Sequence, residues 1–150
     1  MKSFTKMAIA FVIVVFAGTV HAEDSSENVL VNMFAWWNAA IKTENGFTEE
    51  GFAKYFTRDA AIVINGKESV RGTVAMVEHF RRIQANTEAV EIVLPFEEGF
   101  ESGNRIFTYH LIHARENGVD STSHLMGYAV IEEGKIARVN FIAYDEEPSP

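Results

Sequence analysis

The sequence predicts an α+β domain in which three helices precede an antiparallel sheet. Three observations support this prediction. Apolar residues recur at helical spacing in three segments between residues 28 and 85. From residue 88 onward the pattern changes to β-branched and aromatic runs, which are typical of strands. Asn117-Gly118 and Glu133-Gly134 separate the last three of these runs, as tight hairpin turns do.

The helices are predicted over Asn28–Lys42, Glu49–Phe56 and Thr73–Ala85. The first helix contains two adjacent tryptophans, Trp36 and Trp37. Neighbouring residues are about 100° apart on a helix, so these side chains cannot share one face. We expect one to pack in the core and the other to lie at a cavity mouth or a subunit contact.

The strands are predicted from short apolar runs bounded by turn residues. Residues 97–104 are interpreted as a turn-rich connection between two of them. The predicted strands are Ala61–Ile64, Ala89–Phe96, Arg105–Arg115, Ser121–Ile131 and Lys135–Tyr144.

Two-residue turns fix a register for the last three strands. The Asn117-Gly118 turn pairs Tyr109 with Met126, and the Glu133-Gly134 turn pairs His124 with Ala143. A slip of one residue in either hairpin would exchange the faces. One predicted face carries Phe107, Tyr109, Leu111, His113, His124, Met126, Tyr128, Val139, Phe141 and Ala143. The opposite face includes Ile106, Thr108, His110, Ile112, Leu125, Ile142 and Tyr144.

Both predicted faces are largely apolar, and three helices can cover only one of them. We expect the helices to close over the face with His124 and a second subunit to cover the other. The sequence therefore predicts a homodimer through the outer sheet face, with Ile112, Leu125, Ile142 and Tyr144 in the contact.

The stretch from Phe52 to Gly72 carries a family resemblance. Tyr55-Phe56, two polar residues, Asp59-Ala60, an apolar strand and Arg71-Gly72 before a helix follow one another. This pattern resembles the SnoaL-like branch of the nuclear transport factor 2-like superfamily, and the resemblance extends over residues 28–144. It implies a strongly curved, mostly antiparallel mixed sheet that forms a cone around an internal pocket, with dimerisation through the outer face. The fold carries isomerases, dehydratases, cyclases, epoxide hydrolases and non-enzymes, so it does not fix a reaction.

Polar tips on the predicted inner face are candidates for chemistry. Histidine can exchange protons near pH 7, and a tyrosine hydroxyl can stabilise an enolate or carbonyl oxygen. His113, His124 and Tyr109 are the candidate catalytic residues for a cofactor-independent isomerase or lyase. The candidate ligand-binding residues are Trp37, Tyr55, Phe107, Leu111, Met126, Tyr128 and Phe141.

The alternative is a non-catalytic dimeric binding or assembly module, in which the strand histidines only pack and form hydrogen bonds. The resemblance favours this alternative in one respect. Ketosteroid isomerase-like relatives carry carboxyl groups where this chain has Ile64-Asn65 and Met126, and a tyrosine near Trp36-Trp37. A scytalone dehydratase-like aspartate on the first helix also has no match. Either way, we expect a small, largely apolar molecule as the ligand.

The first 22 residues are predicted to be a secretory signal peptide. Lys2 and Lys6 precede an apolar run, and Val20-His21-Ala22 is a small-residue cleavage site. The alternative, an uncleaved anchor, needs a longer apolar run of roughly 20 residues. The mature chain, residues 23–150 with a core of about 28–145, is predicted to be a single domain. We expect a bacterial periplasmic or secreted protein that has no membrane attachment after cleavage.

Composition limits the partners. Without Lys2 and Lys6, the chain has 11 basic and 21 acidic side chains, a net charge of −10, which disfavours nucleic-acid binding. The chain has no cysteine, and no convincing metal-ligand set or cofactor fingerprint is found. We therefore predict no cofactor and no metal.

Overall fold

A computed structural model describes residues 28–146. The predicted signal peptide and the last four residues lie outside this part of the chain. The elements are α1 (Val29–Ala40), α2 (Glu49–Tyr55), β1 (Phe56–Ile64), β2 (Lys67–Arg71), α3 (Thr73–Asn86), β3 (Ala89–Ile92), β4 (Glu98–Ser102), β5 (Arg105–Glu116), β6 (Val119–Glu132) and β7 (Lys135–Asp145).

The strands form one seven-stranded sheet in the order β2-β1-β7-β6-β5-β3, and β4 also pairs with β5. β1 runs parallel to β7, and every other pair is antiparallel. The three helices pack against this curved, mixed sheet, which does not close on itself. The predicted fold class is confirmed.

Side-chain caps begin the first two helices, and an asparagine within α1 fixes that helix to the sheet. Asn28 accepts hydrogen bonds from the backbone N–H groups of Leu30 and Val31, and Thr48 accepts one from Gly51. Asn38, on α1, donates to the carbonyl of Ile92 over 2.7 Å and accepts from its N–H over 2.9 Å. This paired contact satisfies backbone groups of β3 and positions α1 over that strand.

The predicted register of the first hairpin is confirmed, because Tyr109 pairs with Met126. The register of the second hairpin is wrong by one residue. The pairing shifts between Val130 and Ile131, so His124 lies opposite Tyr144 rather than Ala143. The cause is a β-bulge, which adds one residue to β7 and moves every later side chain of that strand to the other face.

The choice of covered face is also wrong. Helices cover the face of β5 that carries Ile106, Thr108 and His110, which are all buried. The bulge adds Val139 and Phe141 to this covered face. The opposite, outer face carries Phe107, Tyr109, Leu111, His113, His124, Met126, Tyr128, Ile142 and Tyr144.

Two strands are missing from the prediction. β2 has only one buried residue, Val70, and every residue of β4 is exposed. Neither segment therefore shows the apolar alternation by which a strand is recognised. β1 begins at Phe56 rather than Ala61, and β3 ends at Ile92 rather than Phe96.

Gly127 allows β6 and β7 to approach closely. A Cβ atom at this position would lie 2.0 Å from the carbonyl oxygen of Asn140 and 2.9 Å from the Cα of Phe141. Backbone atoms cannot move aside as a flexible side chain can, so only glycine fits here. Gly127 thereby lies against the backbone of Phe141, whose side chain lines an internal cavity.

Candidate functional site

An internal cavity of about 270 Å³ lies between the helices and the covered face of the sheet. Its deep part consists of buried side chains from α1, α2 and the central strands, including Phe34, Trp37 and Phe141. Its outer part consists of half-buried aliphatic side chains, including Ile83 and Ile112. Sixteen residues from the described part of the chain line the cavity, and among them only His110 has a titratable side chain.

His110, on β5, is 1% exposed and lies among aromatic rings. Its ring centroid is 5.0 Å from those of Phe34 and Phe141 and 5.6 Å from that of Phe96. Nδ1 forms a 3.1 Å hydrogen bond with the hydroxyl of Thr108. Nε2 is buried and has no partner in the described part of the chain.

Burial lowers the pKa of His110 to about 4, because an imidazolium loses its hydration among apolar groups. The ring is therefore neutral at pH 7, and one nitrogen donates while the other accepts. Such a group can hydrogen-bond to a ligand. It is a weak general base, because a catalytic base works best with a pKa near the working pH.

Trp37 lines the same cavity and also has a buried polar atom. Its side chain is 6% exposed, and Nε1 is buried without a hydrogen-bond partner among residues 28–146. An indole N–H can only donate. Buried polar atoms are normally satisfied, whereas two residues that line this apolar cavity each have one that is not.

The structure places two of the predicted ligand-binding residues, Trp37 and Phe141, in this cavity. Tyr55 instead packs on Trp36, with ring centroids 5.5 Å apart. The expectation that the other predicted residues line the pocket is wrong, because they lie on the outer face of the sheet. They are Phe107, Leu111, Met126 and Tyr128, together with the candidate catalytic residues Tyr109, His113 and His124.

Tyr109 and His124 form a hydrogen-bonded chain on the outer face. The Tyr109 hydroxyl lies 2.7 Å from Nδ1 of His124, and Nε2 of His124 lies 2.7 Å from a carboxylate oxygen of Glu146. The His124 ring stacks on Tyr144 at 4.8 Å. Desolvation, then nearby Tyr144 and Glu97, raise the pKa of Tyr109, so this site does not activate the phenol as a nucleophile or base.

His113 lies apart from that chain, at a groove of about 850 Å³ on the surface. Its Nδ1 forms a 3.1 Å hydrogen bond with the hydroxyl of Thr122 in an exposed position. The three candidate catalytic residues therefore do not converge on one enclosed site. Their catalytic roles stay predictions.

Sequence reasoning assigned His110 to a subunit contact and so missed it. One signal could have identified it. On β5 the face with His110 has two ionisable residues, His110 and Glu116, whereas the other face has four, Arg105, Tyr109, His113 and Arg115. The face with fewer ionisable groups costs less to bury, and should have been chosen as the inner one.

Among residues 28–146, no helix combines the length and the apolar character needed to cross a bilayer. The same residues contain no group of three or more histidine, aspartate or glutamate side chains placed to hold a metal ion.

Comparison with solved structures identifies the fold. An NTF2-like protein of unknown function from Exiguobacterium sp. 255-15 aligns with a TM-score of 0.62 and 18% identity, over 81% of this chain and 100% of that one. TerC, co-crystallised with polyporic acid, aligns with a TM-score of 0.61 and 13% identity, over 79% and 88%. A hypothetical protein with a ketosteroid isomerase-like fold from Catenulispora acidiphila, in complex with trimethylamine, aligns with a TM-score of 0.57 and 14% identity, over 75% of this chain and 83% of that one.

These similarities show that the chain has the nuclear transport factor 2-like fold, as the sequence resemblance implies. The fold is one that accommodates small molecules in other proteins. No protein-family model and no curated protein sequence matches the chain.

Proposed function

We propose that this protein binds a small, largely apolar molecule with at least one hydrogen-bond acceptor in its internal cavity. The observation that carries this proposal is the apolar cavity itself, two of whose lining residues, Trp37 and His110, each have a buried polar atom without a partner among residues 28–146. A buried donor or acceptor that is left without a hydrogen-bond partner costs about 1–3 kcal/mol. A ligand that satisfies these atoms recovers that cost on binding.

The cavity volume limits the ligand. At 270 Å³ it lies just below the roughly 300–1,000 Å³ range of drug-sized ligand sites. It has room for about nine water-sized groups of roughly 30 Å³ each. The ligand, or the part of it that enters, is therefore about the size of a monoterpene or a medium-length alkyl chain.

Binding is better supported than catalysis. Among residues 28–146, His110 is the only ionisable residue that lines the cavity. Burial lowers its pKa to about 4, so it is too weakly basic for efficient proton abstraction at neutral pH. Isomerase or lyase chemistry at Tyr109, His113 and His124 would have to occur on the outer face, where residues 28–146 do not bring the three side chains together at one site. Two structural neighbours hold trimethylamine and polyporic acid, which is further support for a binding role.

A matched ligand series tests the proposal. Camphor, borneol and bornane share one bicyclic shape but carry a ketone, a hydroxyl and no polar group. Trp36→Phe leaves Trp37 as the only tryptophan, so quenching of its fluorescence reports occupancy of the cavity. We expect camphor and borneol to bind about 2- to 10-fold more tightly than bornane, from one hydrogen bond worth roughly 0.5–1.5 kcal/mol. Failure of all three to change Trp37 fluorescence would contradict the proposal.

A second candidate function, assembly as a homodimer, is supported by the outer face. Met126, Ile142 and Tyr144 are 44%, 65% and 49% exposed on adjacent strands. Arg105 and Arg138 lie toward one end of this face, and Glu146 lies at the other. A two-fold axis through the middle would place unlike charges opposite each other. The predicted contact changes accordingly: Ile142 and Tyr144 belong to it, whereas Ile112 and Leu125 line the cavity.

Light scattering across micromolar concentrations tests this assembly. A mass of two chains that falls to one in an Ile142→Glu variant supports it, and a mass of one chain in the unmodified protein contradicts it. Export stays a proposal that rests on the predicted signal peptide. Sequencing the N-terminus of the protein secreted by its host would test it, with Glu23 expected as the first residue.

A further inference from the structure

The cavity and the surface groove share a wall. Val90, on β3, lines both of them. One turn beyond the cavity residue Ile83, α3 places Thr87 in the groove, and on the covered face of β5 the cavity residue Ile112 is followed by the groove residue Ala114. Three separate elements therefore pass from cavity lining to groove lining toward the same end of the molecule.

Exposure follows the same direction. Ile92 and His110, farther from the groove along β3 and β5, are 6% and 1% exposed. Val90 and Ile112, nearer the groove, are half-buried. The residues that line the cavity thus become more exposed toward the groove.

The groove carries an excess of negative charge. Glu88, Glu91 and Asp120 face two cations, Lys42 and Arg115. Lys42 lies 3.6 Å from Glu91, and Arg115 lies 3.3 Å from Glu88 and 3.4 Å from Asp120. Both cations are therefore already neutralised, and one carboxylate remains in excess. The net charge of the whole chain, −8, has the same sign.

We propose that the ligand is an amphipathic organic cation, with an apolar body in the cavity and an amine head in the groove. This inference rests on the proposed function, since the body must enter the cavity. The apolar lining selects the body, and the excess carboxylate selects a cationic head over an anionic one. A carboxylate or phosphate head would meet only cations that already have acidic partners.

Three ligands with one tail and different heads test the head selection. Nonylamine, nonan-1-ol and nonanoate match the estimated nine-group capacity of the cavity, and Trp37 fluorescence in the Trp36→Phe background reports entry of the tail. At pH 7.5 and about 20 mM salt, we expect nonylamine to bind about 3- to 10-fold more tightly than nonanoate, with nonanol between them. Raising the salt to about 300 mM should reduce this ratio, because the head is exposed to solvent.

A charge variant locates the effect. Glu88→Gln with Asp120→Asn removes both carboxylates beside Arg115, and should reverse the preference so that nonanoate binds more tightly than nonylamine. The control, Glu49→Gln with Glu50→Gln, removes the same charge from α2, away from the groove, and should keep the order of the unmodified protein. Equal affinity for the three ligands, or a control that changes the order as much as the groove variant, would overturn the inference. If nonanol and camphor both fail to reach Trp37, the proposed function itself is wrong.

Discussion

Replacing the buried polar pair of the cavity should make the empty protein more stable and a poorer binder. The change is His110→Phe with Thr108→Val, which removes both partners of the 3.1 Å hydrogen bond. A phenyl ring fits the surroundings, since the rings of Phe34 and Phe141 lie 5.0 Å from the imidazole. The phenyl ring has one more ring atom than the imidazole, and the adjoining cavity gives it room, so the main change is in polarity.

The expected gain follows from the unsatisfied Nε2 atom. Replacing both partners of a buried hydrogen bond by apolar groups of similar shape is nearly neutral, whereas a buried group without a partner costs about 1–3 kcal/mol. The double variant removes the bonded pair and the unsatisfied atom together. We therefore expect its free energy of unfolding to rise by about 1–3 kcal/mol, with a Tm several degrees higher.

Ligand binding should change in the opposite sense. Without His110, a ketone loses one of its two candidate partners in the cavity, and bornane gains a slightly more apolar cavity. The preference for camphor over bornane should therefore shrink, by up to the roughly 2- to 10-fold that one hydrogen bond supplies. The same pair of residues would then lower the stability of the empty protein and strengthen its binding of the ligand, as is common at functional sites.

The outer face provides a matched control. His113 and Thr122 form the same type of hydrogen bond, also of 3.1 Å, but in an exposed position. His113→Phe with Thr122→Val should change the free energy of unfolding by less than about 0.5 kcal/mol, since water can satisfy the exposed ring. Urea unfolding of both double variants measures the difference. A destabilised cavity variant, or equal effects at the two sites, would refute the reasoning about Nε2.

Three further predictions use other properties of the fold. Between pH 6.5 and about 4 the unfolded chain binds a proton at His110 that the folded chain does not. The free energy of unfolding should therefore decrease by about 3 kcal/mol more in the unmodified protein than in His110→Phe when the pH is lowered from 7 to 4. Urea unfolding at the two pH values measures this difference, and equal losses would contradict the prediction. Gly127→Ala, which puts a Cβ 2.0 Å from a β7 carbonyl oxygen, should cost about 3 kcal/mol, against about 1 kcal/mol for Gly134→Ala in an open turn, as thermal unfolding will show. Ile142→Glu should abolish dimerisation in sedimentation experiments, whereas Val74→Glu, at an equally exposed site on α3, should leave it intact.

The fold could be predicted from the sequence because its signals are local. Helical spacing marks α1 and α3, and Asn117-Gly118 sets the β5–β6 register without any tertiary information. The Glu133-Gly134 turn is equally local and sets the first pairs of the β6–β7 hairpin. The bulge between Ile136 and Arg138 depends on how β7 packs against the rest of the sheet, and no residue type in that segment predicts it.

The site could not be predicted because it depends on which face is covered. The two faces of β5 are both apolar enough to be buried. Periodicity therefore assigned the residues of β5 to the correct faces, but it could not tell which face the helices cover. The energetic difference lies in the polar groups. On the outer face, Tyr109 bonds to His124, and His124 bonds to the carboxylate of Glu146, whereas on the covered face His110 bonds to the hydroxyl of Thr108.

The β7 bulge links the cavity to the outer face. In the regular register, β7 would present Ile142 and Tyr144 to the helices and Phe141 to solvent. The extra residue reverses this arrangement. Phe141 enters the cavity beside His110, and Ile142 and Tyr144 become the exposed centre of the outer face. The recognition of a ligand and the recognition of a second subunit are therefore set by the same one-residue irregularity, and any change that removes it should damage both.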